Sequence, residues 1–327
     1  MKSNIIKYAC VALVASAAVL TSCSDDETYD FPGIANARIY FQDSSNPETG
    51  SLVKTPVGYV FTMPPAFGIR STSPTNGQTH ATIAIDNSLV EAYNLAHGTQ
   101  YATAPEGSVS LKESTLTIDA DTTASKSKVE LVVPESAYSS FETGETYLIP
   151  VKLVSTDAGY QASTNLGECY FELNVEEGGI KKNPSESDLK GSAQNDQKSW
   201  KCIAADGLNP DEFQNLFSGE WNSYWNMTGT TCEFVVDMQK EKNVTAIGIG
   251  NPLLKNVTIS ISKDNKEWTS VGSVGSSDML EINWNTKFVV FYVPMPCRYL
   301  KVGVELDGSY DYIDYYKNLS AFEVYAE

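Results

Sequence analysis

The sequence has few of the side chains on which catalytic and metal sites depend. Its histidines are His80 and His97, and none of its six cysteines forms a Cys-x-x-Cys pair, so a zinc site of the usual spacing is not expected. No serine nucleophile elbow, phosphate-binding loop or histidine-centred triad is present. Carboxylate pairs that could hydrolyse glycosides arise by chance among this many acids. The sequence therefore predicts a protein that is not an enzyme and holds no cofactor or metal.

Basic residues are also scarce. The chain has 23 Lys and Arg against 41 Asp and Glu, a formal net charge of −18. Nucleic acid and anionic lipid headgroups would be repelled by this charge, so neither is expected as a partner. Aromatic residues are plentiful instead, with 18 Tyr, 12 Phe and 5 Trp. Many tyrosines in an acidic, Ser/Thr-rich chain suit β-structure and surfaces that face sugars.

A hydrophobic run long enough to cross a bilayer is missing. The apolar segment from Tyr8 to Leu20, which follows Lys2 and Lys7, is shorter than the roughly 20 residues that a spanning helix needs. It ends in Leu20-Thr21-Ser22-Cys23, which resembles the lipobox of bacterial lipoproteins, where the peptide is cut before the cysteine and the thiol is acylated. The alternative is an ordinary signal peptide with an incidental cysteine.

The residues after this cysteine resemble the acidic export tag of surface lipoproteins in Bacteroidetes-type bacteria. They are Ser24-Asp25-Asp26-Glu27. The resemblance implies a signal peptide over residues 1–22, lipid on Cys23, and a tether over residues 23–36. A protein anchored in this way is expected on the outer membrane, exposed at the cell surface, without a spanning segment.

Residues 37–177 predict an all-β domain with one helical insertion. Short segments rich in β-branched or aromatic residues and bounded by turn residues predict strands at 37–41, 58–61, 80–85, 114–118, 126–133, 147–153 and 169–175. About seven such strands are typical of an antiparallel, immunoglobulin-like sandwich. In the insertion, Leu89, Ala92, Tyr93 and Ala96 share a helical face, and Gly98 ends the helix.

Three ordered motifs in this domain resemble an immunoglobulin-like N-terminal domain of uncharacterised function that occurs in Bacteroidetes surface lipoproteins. They are Ile85 to Asn94, Gly98 to Tyr101, and Gly144 to Val151. The resemblance implies a spacer or assembly role. We interpret Tyr93 and Tyr101 as packing residues. A linker is predicted over residues 178–192, because Gly178 and Gly179 loosen the chain and Pro184 prevents a strand from continuing.

Residues 193–327 predict a second all-β domain. Strand-like segments at 200–204, 231–237, 244–250, 256–262, 269–274, 287–293, 298–305 and 319–325 are separated by long loops, which suggests a jelly-roll sandwich. Five motifs in family order resemble the discoidin, or factor V/VIII type C, family, which includes galactose-binding-like carbohydrate-binding modules. They are Leu216 to Glu220 with Ser223 to Trp225, Cys232 to Met238, Val257 to Trp268, Arg298 to Val302, and Leu319 to Tyr325.

The departures from the family pattern limit what the resemblance implies. Many members hold a structural calcium with two carboxylates, and those positions are Ser218 and Ala321 here, so no calcium site is expected. The residues that grip the axial hydroxyl of galactose in some relatives are not recognisable, so galactose specificity is not carried over. Trp225 and Trp268 stand where the family uses packing residues.

The candidate binding residues are aromatic rings and amides in loops. They are Trp221, Asn222, Tyr224, Trp284, Tyr310, Tyr312, Tyr315 and Tyr316. Pyranose C–H faces stack on aromatic rings, and amides form hydrogen bonds with sugar hydroxyls whose desolvation is otherwise costly. The competing interpretation is that two of the four late tyrosines plug the end of the sandwich. Cys202, Cys232 and Cys297 allow either one disulfide or free buried thiols.

The sequence thus predicts a non-catalytic surface lipoprotein that binds a polysaccharide or host glycan. It would pass material to hydrolases or transporters of the same utilisation system, held to the same membrane. The alternative is an adhesin, or an accessory subunit of an outer-membrane uptake complex that binds a protein partner.

Overall fold

The computed structural model describes residues 37–218, 223–283 and 285–327. The predicted signal peptide, Cys23 and the tether lie outside the described residues, as do Trp221, Asn222 and Trp284. Within the described ranges, no helix is long and apolar enough to cross a membrane.

Buried and exposed side chains alternate along strands of the N-terminal half. In β1, for example, Ala37, Ile39 and Phe41 are buried while the residues between them are partly exposed. The strands of this half are β1 Ala37–Phe41, β2 Glu48–Thr55, β3 Gly58–Thr62, β4 Ile69–Ser71, β5 Thr79–Ile85, β6 Ala102–Thr103, β7 Ser110–Leu111, β8 Thr115–Ile118, β9 Leu131–Val132, β10 Thr146–Thr156, β11 Tyr160–Ala162 and β12 Glu168–Glu177.

The main sheet of this half has the order β3-β2-β12-β10-β5-β8, and β11-β1-β4 forms a second sheet. The pairs β2–β12, β1–β11 and β6–β10 are parallel, so the sandwich is not purely antiparallel. The sequence did not predict β2, whose polar and glycine-containing start, Glu48-Thr49-Gly50, lacks a strand signature. Of the predicted strand over residues 126–133, only Leu131–Val132 forms a strand. The residues before it pair through an isolated bridge at Val129.

The helical insertion is α1, Leu89–His97, and it ends at Gly98 as predicted, with φ of 66° at that glycine. The predicted buried face is only partly correct. Val90 is the buried residue, while Ala92 and Ala96 are exposed, because the helix lies on the outer face of the sheet over β10.

The C-terminal half is a second β-sandwich. Its strands are β13 Ser192–Ala193, β14 Lys201–Asp206, β15 Trp225–Asn226, β16 Thr231–Gly250, β17 Leu254–Ser262, β18 Thr269–Gly275, β19 Leu280–Asn283, β20 Thr286–Leu306, β21 Asn318–Leu319 and β22 Ala321–Ala326. The main sheet has the order β13-β22-β16-β20-β17-β18, and β15 pairs with β21. Short 3-10 helices lie at Glu186–Asp188, Gln197–Ser199, Pro210–Phe217, Ser276–Asp278 and Ile313–Tyr316 in this half, and Glu135–Ser140 is a 3-10 helix of the first half.

Four predicted strands of this half merge into two long ones. The segments 231–237 and 244–250 are the two halves of β16, and 287–293 and 298–305 are the two halves of β20. The pairing register shifts between Asp237 and Lys242, and again between Val244 and Ala246. Such irregularities bend a strand pair, so each long strand continues past the interruption that the sequence pattern interprets as a loop.

Each half has its own hydrophobic core. One core contains residues from Ile39 to Val175, and the other contains residues from Ile180 to Val324. The all-β prediction is confirmed. Ile180 belongs to the second core although it lies inside the predicted linker, because its side chain packs against the C-terminal half.

Candidate functional site

Three strand ends meet at one end of the C-terminal sandwich. Gly250, the last residue of β16, pairs with Thr286 at the start of β20 and with Ala321 at the start of β22. The loops that leave these strands therefore lie side by side. Asn285 donates a hydrogen bond from Nδ2 to Ser320 Oγ at 3.3 Å, which joins two of them.

The tyrosine-rich loop, residues 307–318, lies at this end. The ring centroids of Tyr310 and Tyr312 are 5.4 Å apart, and those of Tyr312 and Tyr316 are 5.8 Å apart. Tyr310 and Tyr312 remain 42% and 48% exposed, and Tyr315 is 83% exposed. We call Tyr310, Tyr312, Tyr315 and Tyr316 the tyrosine surface. The structure brings all four predicted tyrosines to one end of the sandwich, and it leaves three of their rings substantially exposed.

The backbone of this loop is held by Asn251, which is 1% exposed. Its Nδ2 donates hydrogen bonds to the carbonyls of Tyr316 at 2.8 Å and Asn318 at 2.6 Å. Its Oδ1 accepts from the amide of Leu253 at 2.7 Å. A buried amide with its hydrogen-bonding groups engaged stabilises one backbone arrangement. Asn251 is a residue that the sequence prediction missed, and only its position in the turn Gly250-Asn251-Pro252 could have indicated it.

Further contacts anchor the two ends of the loop. Asp307 donates its amide hydrogen bond to the carbonyl of Leu253 at 2.8 Å, and the Met227 amide donates to the carbonyl of Lys317 at 2.8 Å. Leu319 is fully buried, and Ile313 packs against the core. The loop is therefore fixed by its backbone and by two aliphatic side chains, while the tyrosine rings carry little of this packing.

Acidic side chains surround the tyrosine surface. Asp311 and Asp314 are exposed. Hydrogen bonds from the side chain and backbone of Ser309 hold the pKa of Asp307 below its usual value, so this carboxyl stays ionised. Lys317 pairs with Asp314 at 2.6 Å. Exposed aromatic rings on a fixed backbone with an acidic rim can stack against apolar faces of a ligand.

The structure also locates the other predicted residues. Tyr224 is 37% exposed and precedes β15, which pairs with β21 through Trp225 and Leu319, so it lies beside the tyrosine loop. Trp225 is fully buried, in agreement with its predicted packing role. Trp268 is only half-buried, with the Lys301 ammonium 4.7 Å from its ring centroid. Trp221, Asn222 and Trp284 lie outside the described residues.

The two positions compared with the calcium-binding relatives lie at this end as well. Ser218 is exposed after the 3-10 helix Pro210–Phe217, whose Asn215 donates a hydrogen bond from Nδ2 to the carbonyl of Tyr224 at 3.4 Å, and Ala321 pairs with Gly250. Across the described ranges, no group of three or more His, Cys, Asp or Glu side chains could hold a metal ion.

The cysteines of the described residues, Cys169, Cys202, Cys232 and Cys297, are free. Strand register separates the last three, because Cys202 pairs with Val236, Cys232 with Val304 and Cys297 with Lys242. Burial raises the pKa of the Cys232 and Cys297 thiols to about 12. Of the two alternatives left open by the sequence, the structure has the free thiols.

Comparisons with known proteins agree with this architecture. A family model described as an N-terminal domain matches residues 34–159, and the F5/8 type C domain model matches residues 185–315. The chain therefore joins an N-terminal domain of the first kind to a C-terminal F5/8 type C, or discoidin, domain. The family resemblances of the two domains are thereby confirmed. A comparison with curated proteins gives no match.

The solved structures to which this chain is similar include three bacterial proteins. A two-domain protein of unknown function from Bacteroides fragilis is 12% identical with a TM-score of 0.41, over 90% of this chain and 96% of that one. CBM32-3 from a family 31 glycoside hydrolase of Clostridium perfringens is 16% identical with a TM-score of 0.32, over 41% and 95%. CpGH89CBM32-5 of Clostridium perfringens, in complex with GalNAc-beta-1,3-galactose, is 14% identical with a TM-score of 0.33, over 41% and 100%.

Proposed function

We propose that this protein is a non-catalytic, lipid-anchored lipoprotein of the outer membrane that binds glycan at the cell surface through its tyrosine surface. The observation that carries the proposal is that hydrogen bonds from Asn251 fix the backbone of residues 307–318 while tyrosine rings of this loop stay exposed. Rings that are exposed without strengthening the fold are available for a ligand. The discoidin family match supports the proposal, because that family includes carbohydrate-binding modules.

Binding by such a surface rests on stacking. Sugar C–H groups would lie on the tyrosine rings, and neighbouring polar groups of the loops would form hydrogen bonds with the hydroxyls. Tyr224 lies beside these rings, and we propose that Trp221, Asn222 and Trp284 complete the surface from the two adjoining loops. A few aromatic contacts give weak affinity, which becomes useful when many copies share one membrane surface.

The placement of the tyrosine surface suits presentation to a polymer outside the cell. Leu254, the first residue of β17, lies at the tyrosine end, because the carbonyl of Leu253 before it accepts a hydrogen bond from the amide of Asp307. Ser262, at the other end of β17, lines a cavity together with Pro56 and Val57 of the N-terminal domain. A nine-residue strand is about 30 Å long, so the tyrosine surface and the N-terminal domain lie at opposite ends of the sandwich.

We also propose the lipid anchor and the domain organisation that the sequence predicts. Residues 1–22 would be removed, Cys23 would be acylated, and residues 23–36 would tether the domains at 37–177 and 193–327. Mass spectrometry of the membrane fraction tests this part, because an acylated N-terminal cysteine peptide is expected. A mature chain that begins elsewhere and lacks lipid would contradict it.

Affinity gel electrophoresis of the chain from Ser24 onward, in gels containing different polysaccharides, tests the binding. At least one glycan is expected to retard the native chain. Replacing Tyr310, Tyr312 and Tyr315 by alanine should abolish the retardation, while Tyr59→Ala, a 40% exposed tyrosine of the N-terminal domain, should not. Retardation that survives the triple change would overturn the proposed site. Absence of binding to every glycan, with capture of an outer-membrane protein, would favour the adhesin or accessory-subunit alternative.

A further inference from the structure

The charges around the tyrosine surface select the kind of glycan that can approach it. Three carboxylates lie in the loop, at Asp307, Asp311 and Asp314, against one lysine. Asp314 is 82% exposed at its side chain, and Asp311 is exposed as well. An anionic ligand would meet like charges within the Debye length of about 8 Å that holds at physiological salt.

The cations that strand register places closest to this surface are already paired. Lys317 bonds with Asp314 at 2.6 Å, Lys255 with Glu305 at 2.6 Å, and Lys287 with Glu281 at 3.2 Å. An anion that recruited one of these lysines would have to displace a carboxylate that is covalently part of the protein. That exchange gains little net Coulomb energy.

Arginine, the side chain best shaped for carboxylate and sulfate groups, is also engaged elsewhere. The sequence contains three arginines, of which Arg38 and Arg70 belong to the N-terminal domain. Arg298 donates two hydrogen bonds to Asp237, at 2.8 and 2.9 Å. Its neighbour Tyr299 pairs with Ser262, which places Arg298 near the end of the sandwich remote from the tyrosines.

We propose that the tyrosine surface binds uncharged saccharides and rejects chains that carry uronate or sulfate groups. This inference rests on the proposed function and names the ligand class of the same site. The test uses a neutral polysaccharide and the carboxymethylated form of the same polysaccharide, with the chain from Ser24 onward. One unscreened charge pair at 4 Å corresponds to about fivefold in affinity, so the charged form should bind at least about fivefold more weakly at low salt.

Two further measurements sharpen this test. The difference between the two polysaccharides should shrink as salt is added, because screening removes repulsion. The double change Asp311→Asn with Asp314→Asn should also shrink it, whereas Glu91→Gln with Glu145→Gln, exposed acids of the N-terminal domain, should not. Equal or tighter binding of the charged form would overturn this inference and leave the proposed function intact. If neither form nor any other glycan binds, both this inference and the proposed glycan-binding function are wrong.

Residues 178–183, which we call the strap, contact both domains. Gly179 donates its amide hydrogen bond to Val271 and accepts one from Tyr292, Lys181 donates to Val290, and Asn183 donates to Asp278. Ile180 is 8% exposed and lies in the core of the discoidin domain. On the other side, Gly178 donates to the carbonyl of Lys54 in β2. The strap is thus bonded to both domains.

The glycines of the strap are required by this packing. A Cβ at position 179 would lie 2.5 Å from Cγ1 of Val271 and 2.9 Å from Cε of Met295. Gly178 has φ of 151°, which other residues rarely adopt. The glycine pair that suggests flexibility in the sequence instead allows a close approach between the strap and β18 and β20.

We infer that the strap holds the two domains in one orientation, so that the tyrosine surface is presented at a constant angle to the N-terminal domain. Trypsin tests this, because Lys181 and Lys182 lie in the strap. Cleavage after these lysines in the native chain should be at least about tenfold slower than in Gly179→Ala, while Gly229→Ala, whose added Cβ meets nothing within 4 Å, should resemble the native chain.

Small-angle scattering supplies a measurement that does not depend on the protease. The native chain and Gly229→Ala should give one radius of gyration that is insensitive to temperature below unfolding, and Gly179→Ala should give a larger one. Rapid cleavage of the native strap under conditions that leave both domains folded would overturn the inference. Equal scattering and equal cleavage of native chain and Gly179→Ala would overturn it as well.

Discussion

Two groups of tyrosines, one in each domain, use the same side chain in opposite ways. In the N-terminal domain, the ring of Tyr93 lies 4.5 Å from that of Tyr170 and 4.1 Å from His97 of the same helix. The hydroxyls of Tyr101 and Tyr170 donate to Glu172 and Glu168. The prediction that Tyr93 and Tyr101 are packing residues agrees with these contacts. In the discoidin domain, the rings of the tyrosine surface lie 5.4 and 5.8 Å from one another, and three of the four tyrosines are exposed.

The difference lies in which part of the residue bears the structural contacts. The first group is held by rings and hydroxyls, so its side chains have no freedom left for a ligand. The second group is held by main-chain carbonyls that accept from Asn251, so its rings remain available. Fixing the backbone and leaving the rings exposed lowers the entropy that binding would otherwise cost. A tyrosine-rich loop is therefore a candidate site when its backbone, and not its rings, carries the packing.

The largest change in stability is expected from Asn251→Ala. The change leaves two carbonyls and one amide without their partner, and at about 1 kcal/mol for each bond the discoidin domain should lose about 3 kcal/mol. All five tryptophans lie between residues 200 and 284, so urea unfolding followed by tryptophan fluorescence reports this domain alone. Asn256→Ala, which removes contacts with Ser273 only, is the control. A loss no larger than that of the control would show that Asn251 does not hold the loop.

The next change is Tyr93→Ala, which removes the central ring of the first group. A half-buried aromatic side chain with two close ring neighbours should contribute about 2 kcal/mol to the N-terminal domain. The tryptophan signal should be unchanged, and the loss should show in circular dichroism as an earlier transition of the N-terminal domain. Unaltered glycan binding is expected. A weaker affinity for glycan would mean that the first group is not purely structural.

A pair of hydroxyl deletions separates the two groups more finely. Tyr101→Phe removes the hydrogen bond to Glu172 and should cost the N-terminal domain about 1 kcal/mol. Tyr312→Phe should leave stability unchanged, because among the described residues its hydroxyl has no hydrogen-bond partner. Thermal unfolding of the two variants beside the native chain measures both. A destabilised Tyr312→Phe would place that tyrosine with the packing residues.

The smallest expected effect is a pH dependence of stability to which Tyr101 and Tyr170 of the first group contribute. Burial, and then the hydrogen bond to Glu168, raises the pKa of Tyr170 above its ordinary value; burial and Glu172 do the same for Tyr101. A folded-state pKa above the unfolded one means that the folded state keeps its proton longer. The stabilisation is therefore complete below pH of about 10 and is lost as pH rises beyond it.

Thermal unfolding of the N-terminal domain between neutral pH and pH of about 11 measures this effect. Its midpoint should fall with pH, and the fall should be shallower in Tyr170→Phe, which has no hydroxyl to ionise. Tyr310→Phe serves as the control. A midpoint that responds equally to both changes would contradict the comparison.

Much of the fold could be predicted from local patterns. Strands such as Ala37–Phe41 and Leu254–Ser262 alternate apolar and polar side chains, and a half-buried strand requires that alternation. Gly98 ends α1 because a left-handed residue favours glycine. In contrast, β2 is recruited by parallel pairing with β12, far along the chain, and its own residues carry no strong signal. The two halves of β16 continue as one strand because β20 bends with them.

The candidate site divides in a similar way. The strand-like segments on either side placed the tyrosines in a loop before the closing strand, and ring chemistry with the family resemblance made them candidates for sugar contact. Their convergence could not be read from the loop itself, since it depends on Gly250 pairing with both Thr286 and Ala321. Asn251 was missed because an asparagine in a turn is ordinary until its amide is seen to meet two carbonyls of a distant loop.

By itself, the sequence determined the all-β class, the two domain families and the aromatic, acidic character of the candidate surface. The class and the character of the surface follow from residue type and from periodicity over a few residues, and the domain families follow from ordered motifs that resemble known families. Only the tertiary structure decided which tyrosines pack and which face outward, that the thiols stay apart, and that Gly178 and Gly179 serve close packing. Each of these depends on atoms that lie far apart along the chain and meet only when the sheets assemble.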